Sequence, residues 1–574
     1  MITNGKKTRA LLAGIMMTGL MGAAVPAEAA DITPEQASNI ARVMPSAGSL
    51  YNDIKNKEDN LPIIGDVDIE VREDDKPELN APEDLKVQTN GFVITGQDIF
   101  EEEKLLSLLE DKKGKLLSFK ELQQGADKLT KYFHDKGYLT ARVYLPVQKI
   151  TGGIVEYTVS VGKLGKVTIN NHTSIRDSVI RRESAALKHG EYIRRNELER
   201  AIWLMSDLAG ADAKATLTRS EEDGSVDVII ELNPHSGKQG LLTVDNYGNR
   251  YTGYYEATLS YDFLNLAHEG DHLAVTGLTT GQRMFNGGVN YTIPVLTDGM
   301  KLSTGYNVLS YKLGDIYDVL DAYGTSHVTS VGLDYAIRRS QRNNLYVGLH
   351  YEGSELDDVN NVLNHYADKH SDAGILSVYG DEQDHYGATV WRLEYKRGWI
   401  GSNVPKDGIS DFWVNYNDLG AYRKARFNFL RRQNFNERLY VLLSARGQYA
   451  FDNLDSSEHF SLGGISGVRA YPQSECSGDT GYTVRAELRW RLPVKSRDQL
   501  VQLAGYFDHG GIWYNHSGGA DNKRFLQGAG VGLIWTRPDD WFVRMDYAWR
   551  IGANKPTDSH FSKGRFWVQG GVYF

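Results

Sequence analysis

The stretch WFVRMDYAWRI at 541–551, with FWVQGGVYF at 566–574, decides how the C-terminal part of this chain folds. Trp541, Val543, Met545, Tyr547, Trp549 and Ile551 share one parity, and Phe542, Arg544, Asp546, Ala548 and Arg550 share the other. A period of two puts these sets on opposite faces of an extended strand. Upstream, Val484, Ala486, Leu488, Trp490 and Leu492 alternate in the same way with Arg485, Glu487, Arg489 and Arg491. Soluble sandwiches alternate too, so parity alone does not separate a sandwich from a barrel. Trp and Tyr recur towards strand ends, as in the interfacial girdles of membrane barrels, and this favours the barrel.

The last strand adds a second sign. Phe566, Val568, Gly570, Val572 and Phe574 form one face that ends on the final residue. A terminal aromatic on an alternating strand is similar to the signal by which outer-membrane barrels are recognised, so Phe574 is expected to address a barrel-assembly machinery. Helical periodicity is absent from about Ser236 onward. The 339 residues 236–574 accommodate sixteen segments of about 21 residues, each holding a spanning strand of about 9–11. An even strand count is expected.

The composition of the 574-residue chain agrees. Glycine (59) and tyrosine (33) are abundant and proline (14) is scarce. A mean hydropathy of -0.43 excludes a helical membrane protein, which needs repeated apolar runs of about 20 residues. It does not exclude a barrel, whose lipid-facing and lumen-facing residues cancel in any window. The one long apolar run, Ala10–Val25, follows Lys6, Lys7 and Arg9 and ends in Ala27-Glu28-Ala29, so residues 1–29 read as a signal peptide. Removing their three positive charges and one negative charge takes the net charge from -10 to -12. Nucleic acid is therefore not expected as a partner. Cys476 is the single cysteine, which excludes an internal disulfide.

Residues 30–84 are expected to hold a short helix, Thr33–Met44, stopped by Pro45, and then an acidic linker from Asn52 to Asp84 broken by Pro62, Pro77 and Pro82. Residues 85–162 read as a small α+β domain. Val87–Ile94 is a predicted strand and Glu101–Glu110 a helix. A capping box at Ser118–Glu121 opens a second helix with Leu122, Ala126, Leu129 and Phe133 on one face. Strands Thr140–Leu145 and Ile154–Val161 follow. Residues 163–235 repeat the order β-α-α-β-β, an internal repeat of fold. The predicted architecture is thus two α+β units followed by an all-β sixteen-stranded transmembrane barrel at 236–574.

Several ordered motifs resemble the outer-membrane transporters of two-partner secretion, the TpsB or haemolysin secretion/activation family (ShlB/FhaC/HecB). They are Lys136–Val143 with Leu145–Gln148, Asp245–Gly248 with Thr252-Gly253, and Asn265–Ala267 with Gly270-Asp271. The most specific is Gly467-Val468-Arg469-Ala470-Tyr471-Pro472 after Gly463-Gly464, followed by Phe507-Asp508-His509-Gly510. The first is similar to the family's sixth-loop motif, with Ala470 where many members have glycine. The second is similar to the barrel-wall motif whose aspartate pairs with the loop arginine. The resemblance implies that 85–162 and 163–235 are POTRA domains in the periplasm. It also implies an outer-membrane pore that recognises, translocates and, in activating members, activates a secreted partner exoprotein of the TpsA type. Thr33–Met44 stands where members commonly carry a helix in the pore; a plug and a free amphipathic helix both remain open for it. An assembly or insertase barrel of the same superfamily is the alternative, and two POTRA repeats count against it.

A planar guanidinium at Arg469 can bond both oxygens of a wall carboxylate at Asp508 and so fix a long loop inside the lumen. The competing reading is one ion pair among many, since Arg489, Arg491, Arg544 and Asp546 share the lumen parity. The POTRA sheets offer edges to which an unfolded polypeptide can add a strand. His268-Glu269-Gly270-Asp271-His272 satisfies H-E-x-x-H, but zinc chemistry needs both histidines on one helical face, and Gly270-Asp271 between alternating strands predicts a turn. No nucleophile or phosphate-loop pattern appears, so no enzyme, metal or cofactor is expected.

Overall fold

The computed structural model describes residues 45–58, 69–71, 86–222, 224–362, 365–404, 418–494, 496, 498–514, 522–557 and 563–574. The expected signal peptide, the expected helix Thr33–Met44 and most of the acidic linker lie outside them. Helix α1 (Ala47–Glu58) comes later in the chain than the expected helix and takes up residues assigned to the linker. Pro45 precedes its cap, where the Ser46 hydroxyl accepts the Ser49 N–H at 3.3 Å.

The first α+β unit contains β2 (Lys86–Thr89), β3 (Gly91–Thr95), α2 (Glu102–Ser107), β4 (Lys115–Ser118), α3 (Phe119–Asp135), β5 (Arg142–Tyr144) and β6 (Ile154–Ser160). The predicted strand 87–94 is split at Asn90, whose amide donates to Gly152. The capping box forms at Ser118 and Glu121, and α3 lays Leu122, Ala126, Leu129 and Phe133 on a sheet of order β3-β6-β5. Gly125 gives Tyr157 room to pass: the phenol donates to Leu122 O at 2.8 Å, where a Cβ on residue 125 would stand.

The second unit contains β7 (Lys163–Asn171), α4 (Asp177–Glu183), α5 (Arg195–Ser206), β8 (Ala211–Arg219) and β9 (Ser225–Pro234). Its core packs Ile180, Leu198, Ile202 and Met205 against Ala213, Ala215, Leu217, Val228 and Ile230. A fourth strand, β1 (Ile69–Val71), joins this sheet from the acidic segment, parallel to β8.

The barrel begins with β10 (Gly240–Asp245), β11 (Glu256–Leu264), β12 (His272–Thr279), β13 (Met284–Pro294), β14 (Met300–Lys312) and β15 (Ala322–Arg338). β16 (Asn343–Asn360), β17 (His365–Asp384), β18 (Gly387–Ser402), β19 (Gly420–Asn434) and β20 (Leu439–Ala450) follow. β23 (Thr480–Leu492), β24 (Leu500–Trp513), β25 (Lys523–Arg537), β26 (Trp541–Arg550) and β27 (Gly564–Tyr573) complete it. These sixteen strands close in sequence order, β10 pairing antiparallel with β27. Phe574 and Gly240 exchange two main-chain hydrogen bonds of 2.9 Å at the seam. The parity is inverted relative to a soluble core. Leu488, Trp490, Trp535 and Trp549 are exposed, whereas Glu487, Asp508 and Asp546 are buried. Apolar outward and polar inward is the arrangement of a membrane barrel, and the chain is an outer-membrane protein with its α+β units in the periplasm.

The second unit grips the periplasmic turns. Glu183 accepts the Gly299 N–H at 2.7 Å, Arg200 pairs with Asp298 at 2.7 Å, and Arg339 forks onto both Asp207 oxygens at 2.7 Å. His268–Asp271 lie in one such turn, with His268 and Gly270 at positive φ and Glu269 paired to Arg176, and His272 opens β12. The two histidines do not share a helical face.

Candidate functional site in the barrel lumen

The sixth extracellular connection, residues 451–479, turns inward between β20 and β23. It carries a short 3-10 turn (Ser456–Glu458) and strands β21 (Phe460–Leu462) and β22 (Cys476–Gly478), which pair antiparallel. Between them Gly463 and Gly464 adopt positive φ, and Gly467 lies where a Cβ would meet Gly463 O at 2.5 Å. Glycine is required there to fold the tip back on itself.

This tip buries Val468, Arg469, Ala470 and Tyr471 against the wall. Arg469 has 0% exposure. Its Nε donates to Asp508 Oδ2 at 2.8 Å, Nη2 to Asp508 Oδ1 at 2.7 Å, and Nη1 to Glu487 Oε2 at 2.6 Å. Its own backbone N–H reaches Asp508 at 3.2 Å. The guanidinium lies 3.3 Å from the Tyr506 ring centre, and Trp567 Nε1 donates to Arg469 O at 2.7 Å. A planar, delocalised cation suits this combination of fork and stacked ring, which an ammonium could not fill.

The pair is the hub of a network. Glu487 also receives Arg489 at 2.6 Å and Arg544 at 3.2 Å, Arg544 pairs with Asp546 at 2.6 Å, and Arg485 stands 3.5 Å from Asp508. Arg469 nevertheless differs from its neighbours, because it alone among these arginines belongs to the loop. Asp508 lies on β24 directly across from Arg485 of β23. Phe507, the preceding residue, points outward and is exposed, so the aspartate and not the aromatic of the wall motif reaches the loop. Gly510 leaves space that the Leu462 side chain fills, and Gly528 of β25 faces Ala470, where a Cβ would come within 2.5 Å of the alanine methyl. That pairing accounts for the alanine at a position where glycine is common: the wall opposite has no side chain. Tyr471 extends the tip to the eighth connection, its hydroxyl donating to Asn554 O at 3.1 Å.

Helix α1 lies in the lumen between the inner face of β14–β16 and the sixth loop. Ala47 N donates to Asp358 at 2.8 Å near the outer end of β16, and Lys55 pairs with Glu352 at 2.7 Å lower on that strand. The helix therefore runs down the pore towards the periplasm. Asn52 donates to His459 O at 2.7 Å and Ser474 bonds Asp53, both from the loop. Lys396 bridges Glu352 and Glu458, at 2.7 Å each, and Lys424 pairs with Glu458 at 2.7 Å. A cavity of about 500 Å³ remains beside Ile54, lined by Arg485, Glu487, Arg489 and Arg544.

The sequence motifs marked Arg469, Asp508 and their glycines. Glu487, Tyr506, Trp567 and α1 were not singled out. Glu487 had a signal, since its parity places it on the lumen face. Tyr506 and Trp567 come from other strands, and nothing local announces them.

Two α+β units joined to a sixteen-stranded barrel, with a buried loop arginine latched to the wall, define a POTRA–barrel transporter of the outer membrane. The family profile "Haemolysin secretion/activation protein ShlB/FhaC/HecB" matches residues 224–534, more than half of the chain, and the profile "POTRA domain, ShlB-type" matches residues 87–162. The chain belongs to the ShlB/FhaC/HecB family of haemolysin secretion/activation proteins, the outer-membrane transporters of two-partner secretion. It is 26% identical to the heme/hemopexin transporter protein HuxB of Haemophilus influenzae, over 81% of this chain and 83% of that protein. It is 22% identical to the outer membrane transporter CdiB of Dickeya dadantii, over 72% and 74%. Among solved structures, CdiB from Escherichia coli superposes with a TM-score of 0.69, covering 95% of this chain and all of that one at 17% identity.

Proposed function

We propose that this chain takes up one large exported partner of the haemolysin or adhesin type through its POTRA units and conducts it outward through the barrel, with α1 and the sixth loop as the two bodies that close the resting pore. The observation that carries this reading is the double occupancy of the lumen. Loop and helix both fill it: the helix is held to the wall and loop by polar and ionic contacts, and the loop tip by the Arg469 ion pairs together with a small apolar cluster of Leu462, Val468, Ala470 and Tyr471 against Tyr506, Ile512 and Leu526. Polar and ionic contacts can be replaced by water or by a passing chain once both partners are solvated, whereas a large apolar plug has no such substitute. Arg469 and Asp508 hold the loop in register with the wall; Gly467, Val468, Ala470 and Tyr471 shape its tip; Gly510 leaves the space it packs into. Phe574, at the seam, serves recognition by the barrel-assembly machinery, and the exposed aromatic face meets lipid. No step here calls for a nucleotide or a cofactor; folding of the partner outside supplies direction.

The test is the protein content of the culture medium with and without this chain. Loss of one large exoprotein, with the other outer-membrane proteins intact, is expected. A general fall in outer-membrane proteins would instead support the insertase alternative.

A further inference from the structure

A second cavity, of about 370 Å³, lies at the periplasmic mouth of the barrel, between α5 of the second POTRA unit and the inner wall. The wall supplies one cross-strand row: Ala336 of β15 stands opposite Tyr346 of β16, Tyr346 opposite Tyr379 of β17, and Tyr379 opposite Arg392 of β18. The two tyrosine rings stack at 5.0 Å and 10°, and the Arg392 guanidinium caps Tyr379 at 4.6 Å. Ala336 is too small to continue this stack, which therefore ends at Tyr346. The charges around the cavity cancel, Asp207, Asp334 and Asp381 against Lys301, Arg339 and Arg392. All six are already engaged. Arg339 forks onto Asp207, Lys301 donates to Asp207 O at 3.0 Å, Tyr379 to Asp334 at 3.0 Å, Asn344 to Asp381 at 2.8 Å, and Arg392 stands 3.6 Å from Glu394. One buried polar group is left over. Trp203 of α5, 7% exposed, has the Arg339 guanidinium 4.4 Å from its ring centre, and its indole N–H has no acceptor among the described residues.

We infer that this cavity is an entry pocket for aromatic side chains of the exported chain, tyrosine above all, which it holds before α1 is displaced. This rests on the transport reading above. The volume falls within the range of about 300–1,000 Å³ of binding pockets, whose walls are mainly apolar and aromatic with a few placed polar groups. An ion entering a lining whose charges are already paired would lose its hydration for no net attraction. What the cavity offers is a ring face at Tyr346, against which a further ring makes offset or edge-on contact that an aliphatic side chain lacks, and one buried donor. A buried N–H without an acceptor is uncommon in folded proteins and calls for one from outside. The phenol oxygen of an incoming tyrosine supplies it. The position fits too. Tyr346 lies six residues nearer the periplasmic turn than Glu352, the partner of Lys55, which is about 20 Å along an extended strand. The pocket therefore lies on the periplasmic side of the helix, where a chain arriving from the POTRA units meets it first.

The test uses the full chain in detergent and three fluorescein-labelled heptapeptides, Gly-Ser-Gly-X-Gly-Ser-Gly with X tyrosine, phenylalanine or leucine, read by fluorescence anisotropy. The tyrosine peptide is expected to bind about tenfold more tightly than the leucine peptide, with the phenylalanine peptide between them. Equal binding of all three would overturn the inference. Trp203→Phe keeps a ring beside Arg339 and removes only the donor, so it should weaken the tyrosine peptide about fivefold and leave the phenylalanine peptide unchanged. An unchanged tyrosine peptide, or a loss shared by both aromatic peptides, would also overturn it. Tyr346→Leu removes the ring face and should bring both aromatic peptides to the level of leucine; if that variant fails to form the barrel, Trp203→Phe still decides. Peptide binding needs no partner, so the two readings fail separately. An unaltered chain that exports nothing refutes transport and leaves the pocket standing, whereas normal export with three equal peptides refutes the pocket alone.

Discussion

Replacing Arg469 with alanine isolates the latch. The side chain makes three charge-assisted bonds, of 2.8 and 2.7 Å to Asp508 and 2.6 Å to Glu487, and covers the Tyr506 ring. Removing one member of a buried ion pair costs about 3–5 kcal/mol, mostly because the other charge is left unpaired. Here the acids are not abandoned. Asp508 keeps Arg485 at 3.5 Å, and Glu487 keeps Arg489 and Arg544. The loss therefore falls at the low end, about 3 kcal/mol, and it falls on the docking of the loop rather than on the strand ladders. At about 1.4 kcal/mol per tenfold, the undocked population rises on the order of a hundredfold. The barrel should keep its heat-modifiable mobility on a gel, while protease cleavage within 451–479 from outside the cell rises and partner export falls. Arg469→Lys, with its charge but no fork, should lie between. Unchanged cleavage and export in Arg469→Ala would refute the latch, and loss of the folded barrel would show that the residue serves assembly instead.

Gly528→Ala should release the loop much as Arg469→Ala does, because the new methyl meets Ala470 at 2.5 Å, and adding Ala470→Gly should recover most of the export, measured in the medium. Lys55→Glu puts a carboxylate against Glu352, so channel opening in planar bilayers should rise at least tenfold, about 1.4 kcal/mol, and Glu352→Lys in the same chain should reverse it. At the POTRA–barrel junction, burial is the largest influence on the Glu183 carboxyl and raises its pKa, against the Gly299 N–H and Arg182, which lower it. A raised carboxyl favours the folded junction most below the ordinary glutamate range and less as pH climbs through the elevated value. The protection factor of the Gly299 amide in hydrogen exchange should accordingly fall over that interval, and Glu183→Gln should flatten the dependence.

The barrel was legible because a membrane wall imposes a strict parity, and strands such as 541–550 state it residue by residue. The loop–wall pair was legible because its glycines, arginine and aspartate are fixed by close backbone approach and by a two-oxygen bond, which few other residues satisfy. The rest of the network depends on which strands stand side by side, and that order appears only once the barrel closes: Tyr506 and Trp567 lie 37 and 98 residues from Arg469 in sequence. Helix α1 went unread for a different reason. Helix recognition relies on an apolar stripe that a core must cover. The sequence AGSLYNDIKNKE has only Leu50, Tyr51 and Ile54 as large apolar residues, because its surroundings are the polar lumen and its partners are Glu352, Asp358 and the loop backbone. A helix made for such a place reads as linker.

The same polarity explains how the two closing bodies are connected. Glu352 holds Lys55 of the helix, Glu458 belongs to the root of the loop, and the wall lysine Lys396 lies 2.7 Å from both. Displacing the helix removes one cation from Glu352 and draws Lys396 towards it, away from Glu458 of the loop; displacing the loop removes Glu458 from Lys396 and turns that lysine's charge wholly towards Glu352, where it competes with Lys55 and loosens the helix's own anchor. The network therefore couples the two bodies, and release of either one weakens the hold on the other. In an apolar plug each body would contribute its buried area independently. Here the coupling runs through a chain of alternating charges, and a partner chain entering from the periplasm meets the end of α1 before it reaches Arg469.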